Sequence, residues 1–189
     1  DGAYCIGPTH QTYPCSTNKG LLEFNSPALY LHLDNLESKN LQQGQAELTF
    51  ADVTKLPGDK SPVTLLATAL SRSQGLSEAE TGLHGHVGSI GFESGSEVEV
   101  QFILMRQDDQ REIKAKMLMI KFLDIADGAT LQALAADQAF TSYETQLSVD
   151  SSQDGKLAVT SQMPGAAPPK DPLSLSPRQE MHAVAVLWK

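Results

Sequence analysis

Three small groups of residues in this chain have the types and spacing for chemistry. Asp124 and Asp127 follow a run of apolar residues, Met117 to Leu123, and two carboxylates at a strand end are part of an oxygen-donor site. Ca²⁺ takes about six to eight oxygens, so Asp171 or Glu144 would have to join them through the fold. The alternative is a strand-end Asp that hydrogen-bonds a turn. His84-Gly85-His86 puts two imidazoles on one side of an extended segment, with no third metal ligand evident nearby. Its glycines equally suit a chain bending closely over a neighbour. Cys5 and Cys15 stand with nine residues between them in a Gly/Pro/Thr-rich stretch, with no His or Cys at zinc spacing beside them. They read as a local disulfide and an oxidising compartment. Closing that loop would contribute about 2–3 kcal/mol.

Catalytic constellations are weaker. Gly91-Phe92-Glu93-Ser94-Gly95 is the nearest approach to a nucleophile elbow and has its serine one place late. Glu97, Glu99 and Glu112 could supply paired carboxylates, but alternation puts them on an exposed face. The glycine series Gly82, Gly85, Gly88 and Gly91 lacks the strand-turn-helix setting of a dinucleotide site. The chain therefore reads as a non-enzyme without a cofactor. A carbohydrate site on a β-sandwich needs planar rings, and the chain has one Trp, four Tyr and six Phe. Most of these fall at core-facing or strand-terminal positions, which leaves Tyr4, Tyr13 and Tyr30 as sugar platforms.

Strands must position these groups. Val98, Val100, Phe102 and Leu104 alternate with Glu97, Glu99 and Gln101, a period of two with one apolar face. Ile113 to Leu123 begins the same way and then turns apolar on both faces, as in a strand running from rim to core. The polar loop Arg106 to Arg111 between them suits a hairpin. Further runs alternate at 29–34, 46–50, 63–70, 143–149, 156–162 and 181–188. Residues 129–139, rich in alanine, fit either a short helix or an irregular strand. Eight to ten short strands with turns between them predict an all-β fold, an antiparallel, jelly-roll-like β-sandwich. Composition divides the chain into an N-terminal arm, 1–27, and one domain, 28–189, with a Pro-rich connector at 163–177.

The net charge of −9 argues against nucleic acid, whose phosphates need clustered Lys and Arg. No window approaches the roughly 20 apolar residues of a membrane-spanning helix. Asp1 in first place fits a chain left after a targeting segment is removed. No Asn-x-Ser/Thr acceptor for N-glycosylation occurs, and Asn25-Ser26-Pro27 does not fit the pattern.

Phe122-Leu123-Asp124-Ile125, the upstream Gly82-Leu83-His84-Gly85 with Ile90, and the connector Pro168 to Gln179 occur in a characteristic order. Together, over about residues 60–189, they resemble a β-sandwich module of processed proteins in dinoflagellates, haptophytes and related algae. Ala126 departs from that signature at its second acidic position, with Asp127 displaced by one. The resemblance implies no catalytic residue. The absence of a catalytic constellation, and arms at 1–27 and 163–177 rich in Pro and Gly that could not bury a core alone, point to an accessory or structural subunit docked on a larger assembly. The algal resemblance implies a membrane-embedded one, such as the lumenal side of a photosystem in the thylakoid. A secreted or cell-surface setting is the other implied, and a carbohydrate- or Ca²⁺-dependent binding module is the rival function.

Overall fold

The computed structural model describes residues 4–6, 12–14, 33, 35–42, 45–56, 60–69, 75–115, 117–153 and 156–189. Among them the fold is all-β, and every strand pairing is antiparallel. Contacts sort the chain into two compact units. Unit 1 comprises Asp1–Asn25, Ala115–Pro169 and Leu173–Lys189; unit 2 comprises Ser26–Lys114 and Lys170–Pro172. The stretch 28–189, which composition reads as one domain, thus holds parts of both, and the boundary expected at residue 27 lies outside the described residues.

Unit 1 is a two-sheet sandwich. Its larger sheet joins β1 (Tyr4–Ile6), β2 (Thr12–Pro14), β9 (Leu118–Phe122), β11 (Gln138–Thr141) and β14 (Val184–Trp188) in the order β2-β1-β11-β14-β9. The smaller has β13 (Lys156–Thr160) between β10 (Thr130–Leu134) and β12 (Ser148–Gln153). Alternation places Val184 and Val186 of β14, Ala139 of β11, Ala133 of β10, and Leu157 and Val159 of β13 in one buried cluster. Burying a Val or Leu side chain fully is worth about 1.5–3 kcal/mol, so this shared layer holds the sheets together. Phe122 and Trp188 pack against this cluster and meet edge-to-face, their centroids 6.5 Å apart.

Unit 2 is built on β3 (Leu36–Gln42), β4 (Gln45–Lys55), β5 (Pro62–Ala69) and β8 (Val100–Arg106), paired in that order. The hairpin of β6 (Gly82–His84) and β7 (Val87–Ser89) lies over this sheet. A Cβ built on Gly88 would stand 2.9 Å from the Phe50 ring, so only glycine allows that approach. Leu48, Phe50, Val53, Val63, Leu65 and Ala67 form the core.

Several expectations change. Fourteen strands occur among the described residues, four of them only three residues long. The run after Arg111 does not pair with β8 beyond a bridge from Met105 to Glu112; β9 pairs with β14 instead. Nor is β9 buried on both faces. It is an edge strand in which half-buried residues alternate with exposed Met119 and Lys121. The alanine-rich segment forms β10 and β11, with Ala135 at φ 54° between them, because pairing partners override helical propensity. The connector ends in a short helix, α1 (Pro177–Met181), started by a capping box between Ser176 and Gln179.

Candidate functional site

The two aspartates chosen from sequence sit in the loop after β9, and the fold brings them together. Asp124 and Asp127 both have positive φ, 60° and 53°, and Gly128 follows at 81°. Aspartate tolerates this left-handed region better than most residues. The Ala129 amide donates to the Ala126 carbonyl at 2.8 Å, closing a turn with Asp-Gly at its centre. Two central residues at positive φ are what a type I′ turn requires, and Asp-Gly is among its favoured pairs.

This loop is tied on both sides. The Ile125 amide donates to the His182 carbonyl at 3.0 Å, and His182 Nδ1 lies 3.2 Å from the Ile125 carbonyl. A ring nitrogen facing a carbonyl must carry the proton, so Nδ1 is the donor. His182 is fully buried, and its Nε2 has no hydrogen-bond partner. On the other side the Asp127 amide donates to Met163 and the Gly128 amide to Ser161, at 3.0 and 2.9 Å.

The carboxylates converge on Gly165 of the connector. Asp127 Oδ2 accepts from its amide at 3.4 Å, and a Cβ built there would meet Asp124 Oδ1 at 3.0 Å. Arg178 donates to the Gly165 carbonyl at 3.2 Å and the Gln179 side chain to Ala167 at 2.8 Å. Asp127 is therefore a clamp on the connector. Neither Asp171 nor Glu144 completes a metal shell, and no cluster of three or more His, Cys, Asp or Glu suited to a metal occurs among the described residues. Arg178 and His182 escaped sequence reasoning, since each acts on backbone far away in the chain. The Ser-x-x-Gln signature that starts α1 was the available signal for Gln179.

The other candidates lie apart from this loop. His84 and His86 flank the tip of the β6–β7 hairpin, both exposed. There the His86 amide donates to the Lys170 carbonyl at 2.8 Å, within unit 2. Cys15 and Tyr30 lie outside the described residues, while Tyr4, Cys5 and Tyr13 fall in β1 and β2. The expected pairing of Cys5 with Cys15 therefore also lies outside them. Unit 2 carries a small apolar pocket lined by Leu41, Leu48, Ala67, Leu76, Ile90 and Val100 among others. No helix among the described residues is long and apolar enough to cross a membrane. Compared with family models, curated proteins and solved structures, the chain matches none.

Proposed function

We propose that this chain is a non-enzymatic accessory or structural subunit that docks on a larger assembly through its arm and its Pro-rich connector. One observation supports the reading above others. Leu173 is 96% exposed, yet it belongs to a connector whose backbone is hydrogen-bonded at Gly165, Ala167 and Lys170. An apolar side chain displayed on a segment already held in place loses little entropy on binding. The setting is extracytoplasmic and oxidising, and the lumenal side of an algal photosystem is the assembly that the family resemblance suggests.

The test is native density-gradient fractionation of detergent-solubilised cells, with the wild-type chain and Leu173→Asp followed by mass spectrometry. The wild-type chain is expected to migrate with a large complex. The variant should migrate alone near 20 kDa with its melting temperature unchanged, since Leu173 buries almost nothing within the chain. Wild-type protein found only near 20 kDa would overturn the reading and leave a free binding module.

A further inference from the structure

We propose that the Asp171–Pro172 peptide bond is a scission site built into the connector, and that the cut chain remains one folded molecule. It is the one Asp–Pro bond in the sequence. In such a pair the aspartate carboxyl can attack its own carbonyl carbon, closing a five-membered anhydride. The bond to the proline nitrogen breaks, and that nitrogen, more basic than an ordinary amide, leaves with the carboxyl's proton. Water then opens the anhydride. The net change is one water added, an amine at Pro172 and a terminal carboxyl on Asp171.

The bond lies in an irregular and largely exposed stretch of the connector. Residues 161–176 belong to no strand or helix. Asp171 is exposed, Pro172 half-buried and Leu173 almost fully exposed. The bond spans two fixed points, the Lys170 carbonyl held by the His86 amide and the cap residue Ser176 of α1. Hence the chain on either side stays anchored, with Asp171 and Leu173 exposed and Pro172 half-buried between them.

The piece released, 172–189, carries α1 and β14. β14 lies inside the larger sheet, in register with four residues of β11 and five of β9. Val184 and Val186 are 0% exposed and Leu187 1%. Losing the covalent link leaves all of these contacts, so the strand stays in its sheet. The cut has a second consequence. Lys170–Pro172 is a short part of unit 2 with unit 1 residues on both sides in sequence, and the cut falls inside it.

The test holds the full chain in dilute formic acid, returns it to neutral buffer, and follows it by intact and native mass spectrometry. Pieces 1–171 and 172–189 are expected, migrating together once neutral. Pro172→Ala should stay whole at this position. Equal scission at this position in Pro172→Ala would overturn the site. To keep acid unfolding out of the second claim, thermolysin in neutral buffer would cut before the exposed Leu173. Separation of the short piece after that cut would overturn retention, and co-migration would support it.

Discussion

At the tip beyond β8, Arg111 closes on Asp109 with Nε at 2.7 Å and a terminal nitrogen at 2.6 Å from the same carboxylate oxygen. The Arg111 amide adds a third donor at 3.2 Å. The guanidinium hydrogen bond is the main reason the Asp109 carboxyl is held below its ordinary range, with Arg106 contributing more weakly through its charge. A lowered folded value means the ionised form is favoured in the fold. The contribution to stability is present above the unfolded value and is lost as pH falls through the folded one. Because the pair is exposed, the effect is local to the tip and screened by salt. Carbon-13 titration of the Asp109 carboxyl should find it below the ordinary aspartate range, and Arg111→Gln should return it toward that range. An unchanged value in that variant would assign the shift to something other than the ion pair.

Single elements depend on contacts that residue type alone does not display. The alternation at 46–50, 63–70 and 98–104 was legible, because period two names the face a strand buries. It does not name the partner, which is why β9 could be drawn against β8 when it belongs beside β14. β3, Leu-Glu-Ser-Lys-Asn-Leu-Gln, left no apolar alternation at all and exists through its register with β4. The glycines at 82–91 were legible as close approaches, and Gly85 shows the cost of filling one. Its φ is +66°, and an added Cβ would lie 2.3 Å from the Lys170 carbonyl oxygen. Gly85→Ala therefore meets left-handed strain of about 1–2 kcal/mol and must push backbone aside. The expected result is faster hydrogen exchange at the His86 amide, with the β4 and β5 amides unchanged. Retained protection at His86 would mean that the strand ends absorb the clash and the connector stays in place.

On the scale of the whole molecule, the antiparallel β class was readable from composition and turns, whereas the partition was not. A composition boundary marks where polarity changes; the units are defined by which distant strands share a core, and unit 1 gathers residues from three separate stretches of chain. The same limit applied to the site. Asp124 and Asp127 could be picked from their place after an apolar run, but their common target, Gly165, lies some forty positions on and has no side chain to announce it. The two cores have no residue in common. Val159 and Val53 are each 0% exposed, one in each cluster. Truncating either to alanine leaves a small cavity and should cost about 2 kcal/mol. Substitutions without shared partners add to within about 0.5 kcal/mol, so the double variant should lose the sum. Urea denaturation of the four proteins measures this. A shortfall well beyond that margin would reveal a path of coupling between two cores that their membership keeps separate.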